Sequence, residues 1–293
     1  MRENIIKIKT IAFIQPLAVI IKNKIMIWKY EFERINFIVE QAVKEIYQKI
    51  ENCPDYISFL AFGDYIEKNK DTNIGPYAID NRTDGFKDDA WLRVLITFLN
   101  SSYNFSSENT SDSKESIFFE TMLYLHIWES RPYLRFLKRI TNLVATGEYL
   151  WKLEVKDRSK SVFLEQQILP VLEKQKLKIV DIIQKGYNKQ VRDAIAHNEY
   201  WHSWSRPKII FENYKLNPER KDEFHYNEWT KIFVYTFLLA YHMRNYFELQ
   251  KKKLDDIKCK NGFEVKLMDK KNTKVDGLIF FDKKKDKFSG KIK

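Results

Sequence analysis

Apolar residues recur along most of this chain at intervals of three and four positions, the spacing that places them on one face of an α-helix. The pattern predicts helices over residues 32–51, 117–128, 133–143 and 229–249, and a helical segment that starts near Ser161. In the first helix the predicted apolar face comprises Ile35, Ile38, Val39, Ala42, Val43, Ile46 and Ile50. The last helix is apolar around most of its circumference, which predicts a buried central or dimer-forming helix. The chain is therefore expected to be mainly α, a helical bundle.

Apolar and polar residues alternate with a period of two in short stretches near both ends of the chain, a pattern typical of β-strands. Near the N-terminus the alternation covers residues 5–11 and resumes over 25–30, which predicts two short strands. Near the C-terminus, residues 263–268, 275–281 and 288–292 predict a small antiparallel sheet. The predicted fold is thus a helical bundle with small β elements at the N- and C-termini.

A polar run rich in serine and asparagine over residues 100–113 is the best candidate for a boundary within the chain. It predicts an N-terminal region over residues 1–112, with short strands, helices and turn-rich loops. A helical domain is expected over 113–256, followed by a lysine-rich β tail over 257–293. Residues 251–293 contain 15 lysines and 7 acidic residues, which supply eight of the formal net charge of +11. Such lysines either attract RNA phosphates or keep the chain soluble, and the composition fits both roles.

Composition narrows the class of protein. Glycine and proline are scarce, at 8 and 7 residues, which favours long helices over a turn-rich sandwich. The two cysteines, Cys53 and Cys259, give neither a disulfide framework nor a zinc spacing, which fits a reducing compartment. The apolar run over residues 11–21 is too short to span a membrane, which takes about 20 apolar residues. We therefore expect a cytoplasmic protein with no membrane segment, no metal and no cofactor.

One segment places an arginine and a histidine late in a long apolar, helical pattern. Arg192 and His197 lie five positions apart in the sequence VRDAIAHN. These two side-chain types can together cleave RNA without a metal. The same spacing recurs between Arg220 and His225, but there it follows Asn217 in a charged, turn-like stretch, which predicts a coincidence in a loop.

With its surroundings, the segment from Arg192 onward resembles the HEPN superfamily, helical proteins whose catalytic members are ribonucleases built around Arg-x4-6-His. The polar Asp193 follows the arginine, and small or apolar residues fill the rest of the interval. A polar and aromatic run then follows the histidine and comprises Asn198, Glu199, Tyr200 and Trp201. A short extended stretch over 208–211 and a closing helix over 226–247 also resemble the family. The similarity covers roughly residues 115–250, about half of the chain.

The resemblance implies a metal-independent endoribonuclease that acts on RNA as a homodimer, in which two subunits bring their motifs together in one composite site. It assigns Arg192 and His197 to catalysis, and Asn198, Tyr200 and Trp201 to substrate contact. Nucleases of this kind commonly serve in toxin–antitoxin or antiphage systems. A cognate antitoxin or regulatory protein is therefore an implied partner.

Helix geometry limits how the two catalytic side chains can cooperate. At about 100° per residue, Arg192 and His197 lie about 140° apart around a straight helix. They can reach one phosphate only if the helix frays near His197 or if a second copy supplies the partner groups. Asp193 and His197 are four positions apart and share a face, so the carboxylate is predicted to orient the imidazole as a third catalytic residue.

The predicted reaction is attack of the ribose 2′-oxygen on the adjacent phosphate, with loss of the 5′-oxygen and formation of a 2′,3′-cyclic phosphate. Histidine, with an ordinary pKa of about 6.5, suits proton transfer at neutral pH, a role worth about 10²- to 10⁴-fold in rate. The planar guanidinium of arginine matches phosphate geometry and stays charged. DNA lacks the nucleophile and is predicted to be inert.

The motif alone does not decide between catalysis and binding. The alternative is a catalytically inactive HEPN-like helical module that binds RNA or a partner protein, and a purely structural dimerisation domain is a third possibility. RNA cleavage that Arg192→Ala abolishes would separate the enzyme from both. Tight binding without cleavage would favour the module.

Two groups of side chains outside the motif allow two interpretations each. The first group could stack on unpaired bases or anchor the core at a turn, and comprises Trp201, Trp204 and Arg206. The second could form a phosphate-binding stripe or a solvated face with ion pairs, and comprises Arg131, Arg135 and Arg139.

Overall fold

The structure, a computed structural model, describes residues 26–66, 76–80, 114–156, 160–203, 205–212, 221–268 and 273–293. Within these ranges the chain is mostly helical and carries small antiparallel sheets, so the predicted mainly α class is confirmed. None of the helices in the described ranges is long and apolar enough to cross a membrane. The strand predicted over residues 5–11 lies outside the described residues.

The elements are named in chain order. The helices are α1 (Met26–Ile50), α2 (Tyr56–Leu60), α3 (Lys114–Glu129), α4 (Arg131–Thr146), α5 (Lys160–Phe163), α6 (Leu169–Lys174), α7 (Ile179–Gly186), α8 (Lys189–Ala196), α9 (Tyr226–Lys252) and α10 (Asp256–Asn261), with a π-helical turn (Leu164–Ile168) between α5 and α6. The strands are β1 (Asp64–Tyr65), β2 (Tyr77–Ala78), β3 (Tyr200–His202), β4 (Lys208–Phe211), β5 (Glu223–His225), β6 (Phe263–Met268), β7 (Lys274–Asp282) and β8 (Lys287–Ile292). They form three antiparallel sheets, β1-β2, β3-β4-β5 and β6-β7-β8.

The chain divides into two compact units, each assembled from three separated ranges. Unit 1 comprises Met1–Glu40, Asp89–Trp128 and Ile182–Leu238, and unit 2 comprises Gln41–Asp88, Glu129–Asp181 and Leu239–Lys293. Helices α1 and α9 therefore contribute residues to both units. The sequence predicted three contiguous regions instead, because a change in composition marks a linker but does not reveal which distant helices pack together.

Aromatic side chains from α3 and α9 form much of the core of unit 1. The rings of Tyr124 and Trp229 meet edge to face with 5.2 Å between their centroids. Trp128 packs in the same way against Tyr187 at 5.1 Å, and its indole Nε1 donates a hydrogen bond to Thr236 Oγ1 at 3.1 Å. Each buried aromatic ring adds a large apolar area, and the polar contact satisfies the indole N–H. These contacts fix α3 and α9 against the segment that leads into the Arg192 motif.

Two secondary-structure predictions are wrong. The stretch over residues 25–30 was predicted as a strand, but helix α1 begins at Met26. Alternating apolar residues fit a strand only where a neighbouring strand is present, whereas a helix propagates cooperatively from the strong periodic pattern that follows. The helical segment from Ser161 was predicted to continue to the motif, but it breaks at Lys176, whose φ is +54°, and again before α8. A π-helical turn also precedes Pro170, which lies in the first turn of α6, where a helix tolerates proline because the N–H of that turn needs no intrahelical partner.

The arginines of α4 in unit 2 pack against a buried carboxylate. The ion pairs of the second interpretation are therefore present at Arg135 and Arg139, but the face that carries them is not solvated. Arg139 is 7% exposed and its Nη2 donates to Asp64 Oδ1 at 3.0 Å, while Arg135 pairs with the other carboxylate oxygen. The Arg139 guanidinium also donates through Nε to the carbonyl of Leu150 at 3.1 Å and lies 5.1 Å from the Tyr149 ring centroid. Four-residue spacing correctly places these arginines on one face, but it does not predict what covers that face.

The sheet β6-β7-β8 confirms the predicted C-terminal β tail. Buried side chains alternate with exposed ones along its strands, and the buried set comprises Val265, Leu267, Ile279, Phe281 and Phe288. Within unit 2, Trp151 is 1% exposed and its indole Nε1 donates to the carbonyl of Lys266 in β6 at 3.1 Å. The apolar face of the sheet is therefore part of the folded unit 2.

Gly63 lies directly beneath the Trp151 ring, so we expect Gly63→Ala to destabilise the protein. An added Cβ would lie 2.5 Å from Trp151 Cζ3, closer than atoms tolerate without a shift of the indole or the backbone. Overpacking of this kind costs about 1–3 kcal/mol in the free energy of unfolding, which urea titration would measure. The double variant Gly63→Ala, Trp151→Leu should recover part of that loss, and strict additivity of the two changes would contradict the clash.

His242, buried in α9, should make the stability of the protein sensitive to acid. Burial lowers its pKa from 6.5 to about 4, because the desolvated imidazole resists protonation. The unfolded chain therefore binds the proton first, and stability is lost as pH falls from about 6.5 through about 4, by about 3 kcal/mol in total. We expect His242→Gln to lose less stability than wild type between pH 7 and pH 4 in urea titrations. Parallel pH profiles would contradict this assignment.

Candidate active site

The helix that carries the Arg192 motif, α8, begins at a well-defined cap. Asn188 has an extended backbone and its side-chain Oδ1 accepts a hydrogen bond from Val191 N at 3.0 Å, which satisfies one N–H of the first helical turn. Tyr124 of α3 binds the same residue twice. Its hydroxyl accepts from Asn188 N at 2.9 Å and donates to Asn188 O at 3.2 Å. The start of the motif helix is thus fixed to the core of unit 1.

The motif helix ends at His197, which is the C-cap residue with φ −102° and ψ 4°. Asn198 follows in the left-handed region with φ +56°. The N–H of Asn198 donates to Ile195 O at 3.3 Å, and that of Glu199 donates to Ala194 O at 2.8 Å. These two bonds and the left-handed residue form a Schellman motif, in which asparagine is the most common substitute for glycine. The turn places His197 at the first position outside the regular helix.

Substitutions of Asn198 test the role of this turn. Valine is branched at Cβ and strained at positive φ, so we expect Asn198→Val to lower the free energy of unfolding by about 1–2 kcal/mol. Glycine adopts that backbone freely, so Asn198→Gly should stay close to wild type in the same urea titration. Equal losses for the two variants would show that the asparagine side chain, and not the backbone conformation, determines stability at this position.

Arg192 and Asp193 form an ion pair with 2.8 Å between Nη1 and Oδ1, and their side chains are 12% and 23% exposed. His197 is exposed, and among the described residues no side chain hydrogen-bonds to its imidazole. The expectation that Asp193 orients His197 is therefore not met, although His197 N does donate to the backbone carbonyl of Asp193 at 3.0 Å. A full guanidinium charge attracts a carboxylate more strongly than an imidazole does, and the long arginine side chain reaches its neighbour. Asp193 holds Arg192 in place instead.

Tyr124 contributes a neutral hydroxyl beside this ion pair. Burial raises its pKa well above the ordinary value of 10.0, with smaller opposing effects of Arg192, which lowers it, and Asp193, which raises it. The Tyr124 hydroxyl therefore stays protonated at neutral pH and can donate its bond to Asn188. Neither Tyr124 nor Asn188 was singled out from the sequence. Asn188 carried a usable signal, since it precedes a helical pattern as an N-cap residue does, whereas nothing local identified Tyr124.

The predicted substrate residues lie on the turn and strand after His197. Tyr200 is half-buried, and its hydroxyl lies 3.4 Å from Thr121 Oγ1 of α3. Trp201 is 43% exposed and pairs across the sheet with Ile210 in β4. Of the two interpretations of this aromatic residue, exposure favours a surface contact over a core anchor. Trp204 lies outside the described residues, and Arg206 is exposed.

A metal site finds no support near the motif. His202 in β3 lies 3.3 Å, through Nδ1, from the hydroxyl of Tyr226, and its ring meets the Tyr200 ring edge to face. Across the described ranges, no group of three or more histidine, cysteine or acidic side chains could hold a metal ion. Cys53 and Cys259 are free thiols.

Comparison of the chain with models of protein families, with characterised proteins and with solved structures finds no match to any of them. The functional assignment therefore depends on the side chains around α8 and their arrangement.

Proposed function

We propose that this protein is a metal-independent endoribonuclease of HEPN type that cleaves RNA with Arg192 and His197. The observation that carries the proposal is the position of His197 at the exposed C-cap of α8, the helix that also holds the ion-paired Arg192. His197 N still donates to Asp193 O at 3.0 Å, as in a continuous helix, so the two side chains of one chain remain about 140° apart. Their convergence on one phosphate therefore needs the second copy of the chain that a homodimer would supply. The exposure of His197 also supports access by a large substrate.

In the proposed reaction the RNA itself supplies the nucleophile. The 2′-oxygen forms a bond to phosphorus and loses its proton, the bond from phosphorus to the 5′-oxygen breaks, and that oxygen gains a proton. Imidazole groups can perform both proton transfers near neutral pH. Arg192 would bind the phosphate as negative charge accumulates on its oxygens, so the phosphate would compete with Asp193 for the guanidinium. Asp193 would then serve to position Arg192 before substrate arrives.

A homodimer would provide the second imidazole. Concerted acid and base catalysis requires two groups, and a second copy of the chain would bring a second His197 to the composite site. A dimer in solution, measured by light scattering after gel filtration, is the expected state. A monomer that still cleaves RNA would show that one chain is sufficient.

The proposal is tested by incubating the purified protein with total cellular RNA in EDTA, beside single-stranded DNA of comparable length. We expect cleavage of RNA and none of DNA, because only ribose has the 2′-hydroxyl. Cleavage of both, or RNA cleavage that requires an added divalent ion, would contradict the mechanism.

The second candidate is a module that binds RNA or a partner protein without cleaving. The exposed Trp201 in β3 and the exposed Arg206 in the turn after that strand favour it, because accessible aromatic rings and cations can bind unpaired bases without any reaction. Tight RNA binding with no cleavage under any tested condition would support this function over the first.

The biological role proposed for the enzyme follows the family it resembles. It would act in the cytoplasm on cellular RNA in a toxin–antitoxin or antiphage system. Such a nuclease needs restraint, so a cognate antitoxin or regulatory protein is the proposed partner. Co-expression with a neighbouring gene product that relieves growth arrest would support this role.

A further inference from the structure

Three lysine-rich segments of unit 2 meet at one place. They are the end of α9, the short helix α10 and the turn between β7 and β8. Lys283 in that turn connects all three, because its Nζ donates to the carbonyl of Lys252 at 3.4 Å and lies 2.6 Å from an Asp256 carboxylate oxygen. Lys251 of α9 adds a second link to the turn, with 3.1 Å between its Nζ and Asp286 Oδ1.

The acidic side chains of these segments are already engaged. Asp255 caps α10 by accepting from Lys258 N at 2.8 Å, and Asp256 pairs with Lys283. Asp282 accepts from two backbone N–H groups of the turn, at 3.0 and 3.1 Å. Glu248 and Asp286 both pair with the buried Lys251. The acids therefore neutralise the lysines that hold the segments together.

Five further lysines, four in or next to these segments and Lys287 at the start of β8, have no such partner. We call these residues the lysine cluster, and they comprise Lys252, Lys253, Lys258, Lys284 and Lys287. All five are exposed, and none forms an ion pair with another described residue. Like charges that share a surface repel one another, and a bound polyanion relieves that repulsion while releasing its own counterions.

The chemistry of the surface indicates which polyanion would bind. Lysine ammonium groups contact phosphates as point charges and read no base sequence. The large aromatic rings nearby, Phe247, Phe281 and Phe288, are buried, so they offer unpaired bases no platform for stacking. Insertion into a membrane surface would require an amphipathic helix, but α10 has six residues and a single exposed large apolar side chain, Ile257. The phosphate backbone of a nucleic acid therefore fits this surface better than unpaired bases or a membrane do.

We propose that the lysine cluster is a sequence-independent binding surface for the phosphate backbone of RNA. The cluster belongs to unit 2 and contains none of the residues of the proposed reaction, which belong to unit 1. The choice of RNA as the polyanion rests on the proposed function. The local excess of positive charge is observed independently of that function.

The test replaces all five cluster lysines by glutamine in the full chain, on a His197→Ala background so that RNA is not consumed. Binding of a short labelled RNA duplex is measured by fluorescence anisotropy over a range of salt concentrations. We expect the Kd of the cluster variant to rise by about tenfold or more, and the slope of log Kd against log salt to fall by up to about 0.9 for each lost contact. Anionic lipid vesicles serve as a second probe and should show little binding.

A matched control removes the same charge elsewhere. It replaces five exposed lysines that already pair with acids, namely Lys221, Lys231, Lys266, Lys274 and Lys293. This variant should bind RNA nearly as wild type does. Equal weakening of RNA binding in both variants would overturn the proposal, because net charge alone would then explain binding. Binding to vesicles without binding to RNA would also overturn it. If the wild-type chain cleaves RNA but the cluster variant binds RNA normally, the proposed surface is contradicted and the proposed nuclease function is not. If binding depends on the cluster but the wild-type chain does not cleave RNA, the nuclease function is contradicted and the surface is not.

Discussion

His197→Ala is expected to slow RNA cleavage by about 10²- to 10⁴-fold, the range typical for loss of a group that transfers protons in the transition state. The effect should appear mainly in kcat, because the imidazole acts on the reacting oxygens and contributes little to ground-state binding. Initial rates on a defined RNA oligonucleotide, with the variant at matched concentration, would measure it. His197 is exposed and caps only one helix end, so the variant should remain folded.

His225→Ala is the matched control for this experiment. His225 is also exposed and also lies five positions after an arginine, but it ends the short strand β5 instead of a helix that carries an ion-paired arginine. Its removal should leave the cleavage rate unchanged. Equal losses for the two histidines would show that the effect is not specific to the α8 motif, and no loss for either would place the activity elsewhere.

Asp64→Asn is expected to lower the free energy of unfolding by about 3–5 kcal/mol, the largest stability change among the substitutions considered. The carboxylate is 7% exposed and pairs with both Arg135 and Arg139, so its neutralisation removes the counter-charge that these two poorly solvated guanidinium groups share. Urea titration followed by circular dichroism would measure the loss. RNA binding should not change at conditions where the variant is folded, because these arginines contact Asp64 and do not form a solvated stripe.

An exposed ion pair provides the comparison. Asp276 pairs with Lys266 on the surface of the C-terminal sheet, where water already screens both charges. Asp276→Asn should therefore leave the urea midpoint almost unchanged. If Asp64→Asn behaved like Asp276→Asn, the buried cluster would not contribute to the stability of unit 2, and the arginines of α4 would have to be reconsidered as a binding surface.

The long helices were predictable because their stabilising contacts follow a simple period. Ile35, Val39 and Ile46 recur at helical spacing and are all buried, so α1 could be placed from local pattern alone. The pairing of Arg139 with Asp64 could not be predicted from the sequence, because 75 positions separate the two residues and no local pattern indicates a partner at that distance. The strand predicted over residues 25–30 was wrong for the same reason. The stretch from Met26 fits a strand or a helix until the rest of the fold decides between them.

In the candidate site, too, some features could be predicted from the sequence and others could not. The positions of Arg192 and His197 on one short segment could be read from their spacing. The same spacing showed that either a frayed helix end or a second copy of the chain is needed to bring them to one phosphate. The partner of Asp193 could not be predicted from the sequence, because the carboxylate might pair with either Arg192 or His197. The full charge of the guanidinium favours the observed pair with Arg192. The binding of Tyr124 to Asn188 was also beyond sequence, since it joins residues 64 positions apart.

The proposed mechanism is tested most sharply by identifying the RNA ends that the wild-type protein produces in EDTA, with His197→Ala analysed in parallel. Wild type should leave 2′,3′-cyclic phosphate and 5′-hydroxyl ends, and the variant should not. Ends that carry a 5′-phosphate and a 3′-hydroxyl, or equal amounts of cyclic phosphate from both proteins, would rule the mechanism out.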